Sequence, residues 1–212
     1  MTKRRYDPEA TRQDIMDAAE QLFAERGFGG VSTSAIAKAA GVSQSQIHYH
    51  FETKRKLWEQ VFARRFDQYH AVQIKLLERD DLQGTERLAE SIREYFRFFT
   101  ENPVIVTLMV RAQLEDEEMR SENSEVLLTR GAAVVAEAQR QGHLRDDVAP
   151  EFVVMGFLSL VAQWFQSRGR LMPSDSSLCR ETGRPGALDA AYLDFILKVY
   201  LQGMAPAAGA AA

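Results

Sequence analysis

Residues 33–51 read Thr-Ser-Ala-Ile-Ala-Lys-Ala-Ala-Gly-Val-Ser-Gln-Ser-Gln-Ile-His-Tyr-His-Phe, and this stretch decides the fold of the chain. The pattern predicts two short helices, one on each side of a tight turn at Gly41, where the backbone needs a positive φ. Ser43 is a favourable N-cap for the second helix. Ile47 and Phe51 are four residues apart and so point inward together. The stretch therefore predicts a helix-turn-helix.

The second of these helices carries polar side chains that a protein core does not need. Gln44, Ser45, Gln46, His48 and Tyr49 are left around its outside. Glutamine pairs well with adenine, and serine, histidine and tyrosine can reach base edges or phosphates. This set predicts that the helix enters the major groove of DNA.

Three cations, Lys54, Arg55 and Lys56, stand at the start of the next predicted helix, where the helix dipole disfavours positive charge. Their placement against that preference indicates phosphate contact, with a solvated charge run as the alternative. Residues 1–66 carry eleven Lys or Arg against eight Asp or Glu, whereas the remaining residues carry fifteen against twenty-two. A basic head on an acidic body indicates that only the head meets a polyanion.

Matching positions on three consecutive predicted helices extend this signal. They are Ile15, Ala18, Ala19, Leu22, Phe23, Gly27, Thr33, Ile36, Ala37, Ala40, Gly41, Val42, Ser43, Phe51, Lys54 and Leu57. Their pattern resembles the N-terminal signature of the TetR family of bacterial transcriptional repressors, over about residues 10–62. The resemblance implies an all-α homodimer with a three-helix DNA-binding head and a variable ligand-binding body.

The resemblance also assigns roles by position. Thr33 and Lys54 would contact phosphate, and the outer residues of the second helix would lie in the major groove. The predicted DNA-binding residues are Thr33, Ser43, Gln44, Ser45, Gln46, His48, Tyr49, Lys54 and Arg55. The chain departs from the family pattern at four positions. The family usually has Gly or Ala in place of Ser45, and Thr or Ser in place of Gln46. It usually has Tyr in place of His48, and an acidic residue is common in place of Arg55. These departures concern the operator sequence and leave the predicted DNA binding in place.

The rest of the chain predicts a helical body. A long fourth helix runs from Leu57 to about Arg79, and further helices follow at about 85–100, 103–118, 122–141, 150–168 and 187–204. The predicted domains are a helix-turn-helix DNA-binding domain (1–53), a helical effector-binding and dimerisation domain (54–206) and a tail (207–212). The predicted fold class is all-α, with about nine helices.

The last two predicted helices each carry two apolar stripes, whereas a helix needs one stripe to pack on its own domain. The second stripe predicts a four-helix interface around a two-fold axis, with complete burial inside one subunit as the alternative. The predicted interface residues are Val154, Leu158, Val161, Phe165, Tyr192, Phe195 and Val199.

The family resemblance implies a small, lipophilic effector that binds between body helices. Aromatic and long apolar side chains are the candidates to line such a pocket, and a polar group would orient the ligand. The candidates are Tyr95, Phe99, Met109, Phe157 and Trp164, with Arg111 or Gln113 as the polar group. The alternative for each of them is an ordinary place in the core.

Enzyme and metal chemistry have no recognisable motif in this chain. No HExxH, GxSxG, P-loop or GxGxxG pattern occurs, and His48 and His50 are two residues apart, whereas helical neighbours are three or four apart. The acidic run at 115–118 is interpreted as a solvated helix end, with a divalent-cation site as the alternative. We therefore expect no catalytic residue, no metal and no cofactor.

The sequence also indicates where the protein works. The single cysteine, Cys179, forms no intrachain disulfide, which fits a reducing compartment. The basic N-terminus lacks the apolar segment of a secretory signal. The longest uncharged run, Phe152–Ser167, is shorter than the about 20 apolar residues of a membrane span. We expect a cytoplasmic protein with no membrane partner.

Taken together, the sequence predicts a bacterial DNA-binding transcriptional regulator. The specific expectation is a ligand-responsive repressor that binds a near-palindromic operator on double-stranded DNA as a homodimer. The alternative is a helical small-molecule-binding protein, or an enzyme, whose head does not bind DNA. Selection from random duplexes separates these hypotheses.

Overall fold

The computed structural model describes residues 7–115, 122–171 and 186–206, without the side chains of residues 122, 123 and 171. These ranges hold nine α-helices and no strand. The helices are α1 (Pro8–Arg26), α2 (Thr33–Ala40), α3 (Gln44–Phe51), α4 (Lys54–Leu77), α5 (Gly84–Glu101), α6 (Pro103–Leu114), α7 (Glu122–Arg140), α8 (Pro150–Leu171) and α9 (Ala187–Met204). The predicted all-α fold class is confirmed.

Three sequence predictions fall on other parts of the chain. The tail at 207–212, Cys179 and most of the acidic run at 115–118 lie outside the described residues. Within the described ranges, a membrane-spanning helix is absent, because each helix is too short or too polar for that role.

By contact, the chain divides into two compact units. The first takes in the described residues up to Asp67 and those from Val104 to Glu115, so that α6 groups with the head helices. The second takes in Gln68–Pro103 and the described residues from Glu122 onward. This division differs from the predicted boundary between residues 53 and 54, because the first half of α4 supplies core residues to the first unit.

The core of the first unit is built around Trp58 of α4, whose side chain is fully buried. Its ring centroid lies 4.9 Å from that of Phe23, 4.7 Å from Phe62 and 5.6 Å from Phe28. Edge-on aromatic contacts of this kind stabilise a core beyond the apolar area that they bury. Helix α4 begins ahead of the predicted Leu57, since the Thr53 hydroxyl accepts a hydrogen bond from the Lys56 amide at 3.1 Å.

An ionic cluster joins α1 to α4 in the same unit. Arg65 donates to both carboxylate oxygens of Glu20, at 2.7 and 3.0 Å, and Arg64 donates to Glu20 at 2.8 Å and to Asp17 at 2.6 Å. Burial alone would raise the pKa of Glu20, but the hydrogen bonds from Arg65 and Arg64 outweigh it and hold that pKa below its ordinary value. The Glu20 side chain is therefore ionised and bonded in the folded state.

Acidification is expected to destabilise the wild-type protein more steeply than a Glu20→Gln variant. Because the folded-state pKa of Glu20 is lowered, its contribution to stability is present above the unfolded value of about 4.5 and is lost as pH falls through the lower folded value. Urea unfolding at pH 7, 5, 4 and 3 measures this difference. Glu59→Gln, an exposed residue of α4, is the control. Equal pH dependence of wild type and Glu20→Gln would contradict the assignment.

The second unit packs α5, α7, α8 and α9 with the second half of α4 around an aromatic core. Its buried Phe, Tyr and Trp rings are Tyr69, Tyr95, Phe96, Phe98, Phe99, Phe157, Trp164 and Phe165. Burial raises the pKa of both tyrosine hydroxyls, so these groups stay neutral at physiological pH. On α9, the Tyr200 hydroxyl donates to the Val153 carbonyl of α8 and ties the two helices together.

Candidate nucleic-acid interface

The turn at Gly41 sets the angle between α2 and α3. Gly41 has φ 67° and ψ 28°, a left-handed conformation that is readily available only to glycine. The turn is closed by the Val42 amide, which donates to the Ala37 carbonyl at 3.0 Å. The structure confirms the predicted position of the turn and its positive φ.

Helix α3 begins with a capping box formed by Ser43 and Gln46. The Ser43 hydroxyl accepts from the Gln46 amide, while the Gln46 side-chain oxygen accepts from the Ser43 amide at 2.9 Å. This reciprocal pair satisfies two amide hydrogens at the helix start. Two residues predicted to meet DNA therefore also stabilise the helix that presents them.

Helix α3 buries Ile47 and Phe51 and turns the rest of its surface outward. Tyr49 is 76% exposed, so its ring and hydroxyl are accessible from outside the chain. Gln44 and Ser45 are also exposed. These three side chains lie on the part of α3 that faces away from the core.

Two further predicted residues flank this surface. The Gln44 side-chain amide donates to the Thr33 hydroxyl on α2 at 2.8 Å, which brings the starts of α2 and α3 together. Nδ1 of His48 lies 3.1 Å from the Glu52 carbonyl, at the end of α3, and the ring is exposed. Because a carbonyl oxygen only accepts, this hydrogen bond requires a proton on Nδ1 of His48. The structure thus places Thr33, Gln44 and His48 on or beside the exposed α3 surface.

Lys54 has partners inside the first unit. Its Nζ donates to the carbonyls of Phe28 and Val31, at 2.8 and 2.9 Å, and lies 4.1 Å from the centroid of the Phe28 ring. The guanidinium of Arg55 lies 5.0 Å from the same ring. Lys54 therefore holds the loop between α1 and α2, a role that the sequence did not indicate. Its phosphate contact stays a prediction.

The same loop is held by the end of α6. Nη2 of Arg111 donates to the Glu25 carbonyl at 2.7 Å, and the Gly29 amide donates to the Glu115 carboxylate at 2.7 Å. At Gly27, with φ 74°, an added Cβ would lie 1.7 Å from a Glu115 oxygen. Glu115 was interpreted as part of a solvated helix end; it bonds the loop instead.

Three of the predicted ligand-binding residues come together in the core of the second unit. The Tyr95 ring centroid lies 4.9 Å from Phe99 and 6.3 Å from Phe157. Trp164 stacks on Tyr192 at 3.9 Å and donates from its indole nitrogen to Asp189 at 2.9 Å. The Trp164 indole nitrogen thus has a hydrogen-bond partner within the chain.

The other three predicted ligand-binding residues lie on α6, in the first unit. Met109 is half-buried, Gln113 is exposed, and Arg111 is bonded to the Glu25 carbonyl. Ligand binding by all seven candidates stays a prediction. Among the described residues, no three His, Cys, Asp or Glu side chains are grouped as metal ligands.

The predicted dimer residues divide between the core and the surface of the second unit. Val154, Val161 and Phe165 are 7%, 0% and 6% exposed. The Phe165 ring packs against Phe96 and Phe99, at centroid distances of 4.8 and 5.3 Å. These three residues are covered by helices of their own chain and lie in the core of the second unit, and their part in a subunit interface stays a prediction.

The remaining predicted residues reach solvent to different degrees. Leu158 and Tyr192 are half-buried, whereas Phe195 and Val199 of α9 are more than half exposed. The exposed apolar residues of α8 are different from those predicted. The five residues that we name the α8–α9 apolar face are Phe152, Met155, Leu160, Phe195 and Val199, at 68%, 49%, 38%, 54% and 53% exposure.

Known families match both halves of the chain. The model for bacterial regulatory proteins of the tetR family matches residues 15–61. The model for the tetracyclin repressor-like C-terminal domain matches residues 88–187. The two matches lie on opposite sides of the middle of α4.

Individual proteins show the same likeness. The chain is 38% identical to the transcriptional regulator AcrR of Shigella flexneri over 60 residues, which is 28% of each protein. It is 25% identical to the transcriptional repressor NicS of Pseudomonas putida over 208 residues, 95% of each protein. Among solved structures, it resembles FadR of Bacillus subtilis in complex with stearoyl-CoA, with a TM-score of 0.66, 18% identity, and coverage of 90% of this chain and 98% of that one.

Proposed function

This chain belongs to the TetR family of DNA-binding transcriptional regulators, with a ligand-binding C-terminal domain, and we propose that it is a ligand-responsive repressor acting as a homodimer on a near-palindromic operator. The observation that carries the proposal is the outward surface of α3. Only Ile47 and Phe51 of that helix are buried, while Tyr49 is 76% exposed. The exposed ring and hydroxyl of Tyr49, beside exposed Gln44 and Ser45, can contact base edges and phosphates in a DNA groove.

The proposed DNA contacts divide into two kinds. Gln44, Ser45 and Tyr49 read base edges in the major groove, with Gln46 beside them, and contacts of this kind specify the sequence. Thr33, Ser43, His48, Lys54 and Arg55 contact phosphates and fix the position of the helix. In a two-fold dimer, the two α3 helices enter successive major grooves about 34 Å apart, which requires a near-palindromic site.

The α8–α9 apolar face supports the homodimer. Phe152 and Phe195 expose large rings, and Met155 and Val199 are about half exposed on the same two helices. A two-fold axis brings identical patches together and buries both copies. Burial of such a patch stabilises the pair by about 25 cal/mol for each Å² of apolar surface removed from water.

Two similar proteins support a repressor with a lipophilic effector. NicS is a transcriptional repressor, and the FadR structure contains stearoyl-CoA. In this chain, the proposed effector site uses the aromatic cluster of Tyr95, Phe99 and Phe157 in the second unit, with Trp164 as a further candidate. An effector that binds one of two conformations more tightly shifts the population and so changes DNA affinity. The proposed site of action is the bacterial cytoplasm, where the operator is, and no catalytic role is proposed.

Selection from random DNA duplexes tests the proposal. The full-length protein is incubated with the library at low salt, and bound duplexes are amplified and sequenced. We expect enrichment of one near-palindromic site. Absence of enrichment would refute DNA binding, and enrichment of a single asymmetric half-site would refute the homodimer.

Operator affinity is expected to fall steeply with salt. With Lys54 and Arg55 of each subunit neutralising about four phosphates in the dimer, the dissociation constant should rise about 10²-fold between 50 and 200 mM salt, because each such contact releases condensed counterions. Arg55→Gln should reduce the slope by about 2, one contact for each subunit. Lys75→Gln, an exposed change at the other end of α4, is the control. Fluorescence anisotropy over a salt series gives the slope, and a flat response would contradict the phosphate contacts.

A further inference from the structure

Two side chains at the end of α6 bond the backbone at the end of α1. Arg111 and Glu115 are four residues apart, so they project from the same face of the chain. Arg111 donates to the Glu25 carbonyl, one of the last four carbonyls of α1, which have no partner inside that helix. Glu115 accepts from the Gly29 amide just beyond it. The positively charged Arg111 therefore contacts the negative end of the α1 dipole, and the negatively charged Glu115 contacts a backbone amide.

Glu115 also fills the space beside Gly27. An added Cβ at Gly27 would lie 1.7 Å from one carboxylate oxygen and 2.8 Å from the carboxylate carbon. The glycine thus allows the carboxyl group to approach the loop closely enough to reach Gly29. Glycine is suited to this position in a second way, because its φ of 74° is disfavoured for other residues.

The loop, residues 27–31, is therefore held by side chains of two helices. Lys54 of α4 binds its carbonyl oxygens at Phe28 and Val31, and Glu115 binds its amide at Gly29. Ser32 follows directly and caps α2, with its hydroxyl accepting from the Ala35 amide at 3.1 Å. A displacement of the loop would therefore pass to the start of α2 and, through the turn at Gly41, to α3.

Helix α6 is part of the C-terminal domain by its sequence match, but its contacts group it with the DNA-binding head. It lies within residues 88–187, the range matched by the C-terminal domain model, yet it groups with the head in the first compact unit. We propose that Arg111 and Glu115 are positioning residues, named here the α6 latch, through which the C-terminal domain holds the α1–α2 loop and sets the placement of α3 on DNA. This inference rests on the proposed function, since it concerns how the same DNA surface is positioned.

The test compares four variants of the full-length protein with wild type. Glu115→Ala and Arg111→Ala each remove one bond of the α6 latch. Glu115→Gln keeps a side-chain oxygen that accepts from Gly29, and Thr107→Ala alters an exposed residue of the same helix. Fluorescence anisotropy with the selected operator measures affinity at one fixed salt concentration. Hydrogen exchange with mass spectrometry measures protection of the loop amides in the absence of DNA.

Glu115→Ala and Arg111→Ala are expected to weaken operator binding about fivefold to tenfold, the loss of about one hydrogen bond with a charged partner. Glu115→Ala should also speed exchange in the loop. Glu115→Gln should restore affinity and protection to within about twofold of wild type, since a neutral acceptor remains, and Thr107→Ala should change neither. Restoration by Gln separates positioning through the Gly29 bond from a general loss of charge.

Two results would overturn the α6 latch. One is wild-type affinity and loop protection in Glu115→Ala, and the other is an equal loss of affinity in Glu115→Ala and Glu115→Gln. Failure of the proposed function would give a different result, because the wild-type protein would then select no duplex from the random library. In that case, the exchange data on Glu115→Ala still show whether the carboxylate holds the loop.

Discussion

Phe195→Asp is expected to make the protein monomeric and to lower operator affinity about 100-fold or more, the equivalent of about 3 kcal/mol. Phe195 is 54% exposed within the chain and lies on the α8–α9 apolar face, one turn from Val199. In a two-fold interface, a single substitution places two carboxylates in the contact. An ion that loses water without gaining a partner costs several kcal/mol, so the pair would dissociate. Each monomer would then reach only one half-site.

Sedimentation equilibrium measures the oligomeric state, and anisotropy with full and half operators measures the loss of affinity. Val126→Asp is the matched control, because Val126 of α7 is 44% exposed and lies outside the α8–α9 apolar face. The control should remain dimeric and bind as wild type does. A dimeric Phe195→Asp at micromolar concentration would show that the interface lies elsewhere. Circular dichroism confirms that both variants keep their helices.

The helix-turn-helix could be predicted because its determinants are local. Gly41 has the positive φ that its place after a short helix requires, and Ser43 caps α3 as its position indicates. Ile47 and Phe51 are buried as their spacing predicts. Each of these features depends on residues that are less than about two helical turns apart along the chain, so a single sequence contains the necessary information.

The apolar face of α8 could not be assigned from periodicity alone. The two predicted stripes are neighbours on the helix, and periodicity shows which residues share a side without showing what covers it. The rings of α5 cover Phe165, whereas Phe152 and Met155, which the stripes omitted, are exposed. Contacts with helices distant in sequence determine which apolar residues of α8 are buried. The periodicity of one helix carries no information about those contacts.

Side-chain partners distant in sequence were also missed at the candidate DNA surface. Lys54 bonds Phe28 and Val31, and Glu115 bonds Gly29, which is 86 residues away. The sequence suggested a solvated acid at Glu115, because charged residues usually face water, and a phosphate-binding lysine at Lys54, because the helix dipole disfavours a cation there and the family pattern has a phosphate contact at that position. The glycines around Phe28 were the available signal, since they permit close approach of another chain segment. They do not reveal which segment approaches.

Trp58 is the residue whose loss should destabilise the first unit most. Its side chain and that of its neighbour Leu57 are both completely buried. Trp58→Ala should lower the free energy of unfolding by about 3–5 kcal/mol, because it removes the ring that packs on Phe23, Phe28 and Phe62 and leaves a cavity. Domains are stable by only about 5–15 kcal/mol in total, so this is a large fraction.

Trp58→Phe should lower the free energy of unfolding by only about 1–2 kcal/mol, far less than Trp58→Ala. The larger side-chain volume of Phe explains only part of this difference. The Trp58 indole nitrogen is buried and has no hydrogen-bond partner among the described residues, so phenylalanine keeps an aromatic ring and removes an unsatisfied donor. Trp164→Phe is the matched comparison, because that indole nitrogen donates to Asp189 at 2.9 Å and its removal forfeits a bond. Urea unfolding followed by circular dichroism, at one fixed protein concentration, gives each free energy. If Trp58→Phe were as destabilising as Trp58→Ala, the indole nitrogen would have to be bonded in the folded protein.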